Sequence, residues 1–213
     1  MDMRIKTMVL GYVQTNCYLV YDGETGRGVI IDPADRAPEI VSACRELQVT
    51  PEAVLLTHGH GDHVLAADAV RQELGIPVIA SRAERELLAD PALNYSTALG
   101  MPDIRLKADR EVEDGDLLEL AGFRFQVIAT PGHTGGSVCY LEEENEVLFS
   151  GDTLFELSLG RTDLPTGSTK DIVESITGKL FVLPDDIMVY PGHGNATVMG
   201  REKQYNPAAR YRR

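Results

Sequence analysis

The sequence predicts an α/β or α+β sandwich with helices outside, in a single domain spanning residues 1–213. Three observations predict it. Short apolar or alternating runs give way to helical periodicity, and this order of strands and then helix recurs along the chain. Two of the apolar runs, at 125–129 and 187–190, lead into the same kind of turn, Pro131-Gly132-His133 and Pro191-Gly192-His193, as two similar halves would if they shared an edge. No G-x-G-x-x-G follows the first strand and no P-loop is present, which argues against a doubly wound nucleotide-binding fold.

Residues 5–10, 17–21 and 28–31 read as strands, punctuated by Asp22-Gly23 and Gly26 as hairpins are. Asp32-Pro33 ends the third. Residues 38–47 place apolar side chains at helical spacing behind Pro38. Residues 53–56 form a buried strand that delivers the chain into His58. From Asp62 or His63 to Leu74 the spacing is helical, and Gly75 stops it. Residues 78–80 are a short strand and 81–88 a helix. The segment 91–107 has Asn, Gly and Pro but little periodicity and reads as a loop or lid. Strands return at 117–120, 123–128, 137–141 and 146–149. Ser168 caps a helix over 170–180, residues 187–190 are the last buried strand, and 200–205 form a short terminal helix.

The 213 residues are 43% hydrophobic and 25% charged, as in a soluble globular protein whose core needs no disulfides. The three cysteines are odd in number and lack C-x-x-C spacing; Cys17 and Cys139 lie in apolar runs, so free buried thiols and a reducing, cytoplasmic setting are expected. No secretory signal is visible, and nothing approaches the roughly 18 consecutive apolar residues of a membrane span. A net charge of −13 argues against a nucleic-acid partner, which needs a basic footprint. Against that balance, Arg201, Lys203, Arg210, Arg212 and Arg213 cluster in the last thirteen positions. They read as a solvated basic tail, with a cationic patch for an anionic small molecule as the alternative.

The chain has five histidines, and three lie within Thr57-His58-Gly59-His60-Gly61-Asp62-His63. His58 and His60, two apart, would diverge on a helix but converge in an extended turn, where Gly59 and Gly61 let the backbone fold closely. Asp62 and His63 do not easily reach the same ion, so a second metal position is the natural use for them. Each position then needs a further ligand, and His133 and His193 are the two histidines left. Asp152, at a strand end in Ser150-Gly151-Asp152-Thr153, is the candidate bridging carboxylate. This donor set suits two divalent ions, zinc first, with iron or manganese accepted by the same atoms. Thr134 to Ser137 read as a turn.

T-H-G-H-G-D-H, P-G-H-T-G-G-S, F-S-G-D-T-L-F and Y-P-G-H-G together resemble the metallo-β-lactamase fold superfamily, as do Thr15-Asn16-Cys17-Tyr18 and Ile31-Asp32-Pro33. The resemblance implies an αββα four-layer sandwich with the metals at one edge of the sheets. It assigns His58, His60 and His133 to one ion, Asp62, His63 and His193 to the other, and Asp152 to both. Within the superfamily the chain is similar to the glyoxalase II (hydroxyacylglutathione hydrolase) branch, in a short form without the further helical domain of the long enzymes. Arg161 and Asp163 stand where that branch has Lys and Tyr. The resemblance implies a thioesterase that cleaves S-(2-hydroxyacyl)glutathione with a hydroxide held between the metals. Asp62 is then a candidate proton acceptor and Arg161 a candidate contact for a substrate carboxylate. Two other activities fit the same motifs: a persulfide dioxygenase using one iron at His58, His133 and Asp152, and a dinuclear hydrolase of another ester or lactone.

Overall fold

Two six-stranded sheets organise the chain, and each residue's place along a strand decides which of three apolar cores it enters. The computed structural model describes residues 2–211; Met1 and two arginines of the basic tail, Arg212 and Arg213, lie outside the described residues.

In the first sheet β1 (Met3–Leu10), β2 (Thr15–Asp22) and β3 (Arg27–Ile31) run antiparallel. Helix α1 (Ala37–Glu46) crosses to β4 (Thr50–Leu55), parallel to β3. Helices α2 (Gly61–Val64) and α3 (Ala67–Leu74) lead to β5 (Val78–Ser81), parallel to β4. A 3-10 turn (Arg82–Glu84), α4 (Arg85–Ala89) and the irregular segment 91–107 lead to β6 (Arg110–Val112), parallel to β5.

The second sheet opens with β7 (Leu117–Leu120), β8 (Phe123–Ala129), β9 (Val138–Glu142) and β10 (Val147–Gly151), all antiparallel neighbours. A small ribbon, β11 (Leu154–Phe155) and β12 (Ser158–Leu159), precedes α5 (Thr169–Ser175) and its π-helical extension (Ile176–Leu180). Strand β13 (Met188–Pro191) pairs parallel to β10, β14 (Thr197–Val198) closes the edge, and α6 (Met199–Tyr205) ends in a 3-10 turn (Pro207–Tyr211).

Successive side chains of a strand point to opposite faces, and here both faces are apolar. In β2, Cys17 and Leu19 face one core while Tyr18 and Val20 face another; in β4, Val54 and Leu55 divide the same way. The first of these cores takes Ile40 and Cys44 of α1 and Val70 of α3. The second lies between the sheets, where Tyr18, Ile31 and Leu55 meet Phe125, Tyr140 and Phe149. The third joins Cys139, Leu148 and Val189 to Ile172, Ile176 and Met199 of the C-terminal helices. The layers are therefore helices, sheet, sheet, helices, as the motifs imply. All three cysteines are buried, and burial pushes the thiols of Cys44 and Cys139 to about 11, so neither is a ready nucleophile.

Some expectations need correction. The helix expected from Asp62 or His63 to Leu74 is two helices, because the Ala66 N–H donates to Pro33 O at 3.0 Å instead of extending the first turn. Gly75 does stop it, in a left-handed conformation with φ 67. The short strand β6 carried no readable pattern of its own. The segment 91–107 is irregular, as expected, but it is packed: Asn94 and Ser96 are buried, and the Asn94 carbonyl accepts from the Gly61 N–H at 2.7 Å. In the basic tail, Arg201 pairs with Glu156 at 2.6 Å and Lys203 with Asp185 at 2.5 Å. Two described cations of that tail are thus paired with acids of the chain at its surface, which counts against a free cationic patch. Among the described residues no helix is long and apolar enough to cross a membrane.

Candidate metal centre

The site-bearing turns leave the ends of β4, β8, β10 and β13. Beyond β4 the chain is held by Asp32, whose Oδ1 and Oδ2 accept from the Thr57 N–H at 2.8 Å and the Thr57 hydroxyl at 2.6 Å. The Asp32 backbone is left-handed at φ 50, which turns its carboxylate towards this loop. Val138 of the other sheet donates its N–H to Thr57 O at 2.8 Å. His58 and His60 then face each other, ring centroids 4.9 Å apart and nearly perpendicular. His60 precedes the short helix α2, which carries Asp62 and His63.

His133 follows β8 through a turn in which Gly132 sits at φ 140; a Cβ there would lie 2.2 Å from the backbone nitrogen of Ile172 in α5. Residues 134–137 form the expected turn, with the Thr134 N–H donating to Ser137 Oγ at 3.1 Å. His133 Nδ1 lies 2.8 Å from the Arg161 carbonyl, so it donates there and leaves Nε2 as a lone-pair donor. Asp152 follows β10, where the pairing with β13 shifts register between Phe149 and Gly151 and redirects the chain. His193 follows β13, fixed by Asn16 Nδ2, which donates to Pro191 O at 2.9 Å and Gly194 O at 3.0 Å, and by Tyr18 OH, which donates to Pro191 O at 2.6 Å.

The donor atoms form two groups. His60 Nδ1 and His133 Nε2 are 2.9 Å apart, and His58 completes that cluster. In the other, His63 Nε2 and His193 Nε2 are 3.3 Å apart, and Asp62 Oδ2 is 3.3 Å from His193 Nε2 and 3.6 Å from His63 Nε2. Asp152 lies between them. Its Oδ1 is 3.3 Å from His63 Nε2, and its Oδ2 is 3.5 Å from both His133 Nε2 and His193 Nε2. Donors on one tetrahedral ion with bonds of about 2.0–2.1 Å stand about 3.3–3.4 Å apart, so these separations fit a divalent metal. The polar inventory agrees: His58 Nε2 and Asp152 Oδ1, two of the converging donors, are buried with no hydrogen-bond partner among the described residues.

The electrostatics divide the clusters. Burial, with neighbouring imidazoles, holds His58 well below the ordinary imidazole range and lowers His60 to about 3, so both are neutral donors. Burial acts the same way on His63 and His193, but the carboxylates of Asp152 and Asp62 outweigh it and raise both. Burial would raise Asp152, yet His63 lowers it to about 2; Asp62 is likewise held well below the usual carboxylate range, chiefly by His63. Asp62 also accepts from the Thr15 hydroxyl at 2.8 Å.

All seven sequence-predicted donors therefore converge. Arg161 does not point a free guanidinium at them: its Nε and Nη2 donate to the two oxygens of Asp163 at 2.7 and 2.8 Å, on the exposed surface. Sequence reasoning missed the supporting carboxylates. His63 Nδ1 lies 3.0 Å from Asp32 Oδ2, and Glu84, 1% exposed, accepts from the turns on both sides of the first cluster. Asp32-Pro33 was visible as a strand end and as part of the family resemblance, with no role for the carboxylate, and Glu84 only as one more acid on a short helix.

The chain belongs to the metallo-beta-lactamase superfamily, whose model matches residues 10–193, and is a metallo-hydrolase of that superfamily. It is 37% identical to hydroxyacylglutathione hydrolase GloC of Haemophilus influenzae, over 96% of this chain and 97% of that protein. Among solved structures it resembles the BLEG-1 B3 metallo-beta-lactamase (TM-score 0.91, 43% identity, 96% of this chain and 98% of that one). It also resembles TTHA1623 in a di-iron-bound form (TM-score 0.84, 37% identity, 95% and 98%).

Proposed function

We propose that the chain is a dinuclear thioesterase that cleaves S-(2-hydroxyacyl)glutathione, a small-molecule substrate. The observation that carries this reading is the position of Asp152, with oxygens 3.3–3.5 Å from nitrogens of both clusters, in a chain matching GloC over nearly its full length. His58, His60 and His133 would hold one divalent ion and Asp62, His63 and His193 the second, with Asp152 placed to serve both. Two such ions, when bound, supply a nucleophilic water of near-neutral pKa and polarise the thioester carbonyl. Zinc is our first assignment; the di-iron form of TTHA1623 supports iron as the competitor.

The protein's own part is to hold the donors and to stay out of the proton chemistry. His133 is fixed by the Arg161 carbonyl and His63 by Asp32, so their Nε2 atoms face inward. Asp62, strongly acidic and already bonded to Thr15, is an oxygen donor and a weak proton acceptor. With all five histidines in the clusters, none is left as a general acid. A thiolate of pKa about 8.5 leaves without one, whereas an amide nitrogen does not.

A second reading, β-lactam hydrolysis, is favoured by the likeness to BLEG-1. One experiment separates them. Purified protein loaded with zinc or iron is given S-D-lactoylglutathione, a cephalosporin, or glutathione persulfide with oxygen monitored, and Asp152→Ala serves as control. Thiol release that the control abolishes supports the thioesterase. Ring opening without thiol release moves the assignment to the second reading, and oxygen uptake on persulfide moves it to the dioxygenase.

A further inference from the structure

Outside the donor set, one buried acid stands in an unusual place. Glu84 ends the 3-10 turn Arg82–Glu84, and its side chain points under the metal-binding turns. Its Oε2 accepts from the Gly59 N–H at 2.7 Å, and Gly59 separates His58 from His60. Its Oε1 accepts from the Gly136 N–H at 2.8 Å and from the Thr134 hydroxyl at 2.8 Å, in the turn that follows His133. A single carboxylate thus bonds both loops that carry the first cluster's histidines, and no bond of Glu84 reaches the second cluster.

The approach is close on both sides. A Cβ on Gly59 would lie 3.0 Å from Glu84 Oε2 and 2.7 Å from Leu87, and one on Gly136 would lie 2.5 Å from Glu84 Oε1. Gly59 and Gly136 are thereby accounted for by Glu84 and its helix, rather than by the ions. No basic side chain contributes to Glu84's environment among the described residues. A buried carboxylate without a countercharge is costly unless its lone pairs are filled, and here three donors fill them. An acid kept under those conditions fixes the separation of the loops it bridges.

We propose that Glu84 is a positioning residue for the first donor cluster, setting the distance between the His58–His60 turn and the His133 turn and hence that cluster's metal affinity. The inference rests on the two-ion reading above. It acts by donor and acceptor matching. In Glu84→Gln the amide has one oxygen to offer, so either the Gly59 N–H or the Gly136 N–H faces an NH2 group instead of an acceptor.

The test loads wild type and variants with cobalt(II) and titrates each with a competing chelator, following the visible spectrum. His60→Gln and His193→Gln mark the first and second clusters. Glu142→Gln, a buried acid whose carboxylate accepts from Asn145 at the far end of β9, is the control for loss of a buried carboxylate. Glu84→Gln should weaken one ion by about 10–100-fold, the range for loss of an outer-shell partner, and leave the other as in wild type. The spectrum of the ion that remains should match that of His60→Gln, and the metal-free protein should melt no lower than Glu142→Gln. Wild-type affinity for both ions overturns the inference. So does equal weakening of both with a larger fall in Tm, which would make Glu84 a general structural residue. Thr134→Val, which removes one donor and keeps the shape, covers the case in which Glu84→Gln does not fold. It should weaken the same ion by a smaller factor, and an unchanged titration overturns the inference equally. A wild type that takes up one ion overturns the dinuclear reading alone, because comparison with His60→Gln still shows whether Glu84 governs that ion.

Discussion

Asp32 Oδ2 lies 3.0 Å from His63 Nδ1, and the same carboxylate holds the Thr57 N–H and hydroxyl. One acid therefore sets the tautomer of a second-cluster histidine and the path of the chain into His58. Asp32→Asn tolerates the left-handed backbone but cannot accept at both oxygens. We expect it to weaken the second-cluster ion by about 10–100-fold and to lower thiol release with it. Metal analysis after dialysis against chelator reads the first effect, and full retention of both ions would refute it.

Acid should empty the two clusters in order. In the metal-free protein His63 and His193 are raised above the ordinary value of about 6.5, so they hold protons that an entering ion must displace. Their folded pKa values lie above the unfolded ones, so protons compete below those values and metal affinity grows as pH rises through them. His58 and His60 are shifted the other way and release nothing. Lowering the pH from 8 to 5 should therefore remove the second-cluster ion first. Calorimetry in buffers of different ionisation enthalpy should count more protons released by that ion, and parallel loss of both ions would contradict the assignment.

Gly192 has no room for a side chain. A Cβ there would meet Asp152 Oδ1 at 2.2 Å and His63 Cε1 at 2.6 Å, whereas one on Gly178 would meet nothing within 4 Å. Gly192→Ala should displace the shared carboxylate and cost most of the activity and metal, while Gly178→Ala keeps both. Metal content and turnover of the two variants check this, and a fully active Gly192→Ala would show that the turn can move.

Arg161 separates backbone from side-chain function. Its carbonyl holds His133, but its guanidinium is committed to Asp163. Arg161→Ala should leave metal content unchanged. If the fork swings to a glutathionyl carboxylate when substrate binds, the variant raises KM at constant kcat, and Asp163→Asn lowers KM. Steady-state kinetics at two ionic strengths decide it; equal KM values in all three proteins would restrict Arg161 to its carbonyl.

The donors were legible because they are local in sequence: His58, His60, Asp62 and His63 share one short motif, and Pro-Gly-His recurs at a strand end. The strands showed through as apolar runs buried on both faces, such as Val147–Gly151. The break at Ala66 was hidden, since it depends on a carbonyl 33 residues earlier in the chain, at Pro33. Glu84 was hidden for the same kind of reason: its partners lie 25 and 52 positions away. Hydrophobic periodicity records which face is buried, but it does not record which backbone group will need an acceptor.

The pairing of β10 with β13 has a consequence for the order in which the chain becomes competent. His63 and His193 are 130 residues apart. At a synthesis rate of about 5–20 residues per second, the last histidine emerges roughly 7–26 s after the first motif. Through that interval the nascent chain exposes His58, His60, Asp62 and His63 without His193, and for most of it without Asp152, to close around an ion. Tight capture waits for the final strand, so a chain truncated before β13 should be retained by an immobilised-metal resin yet hold no ion against a chelator.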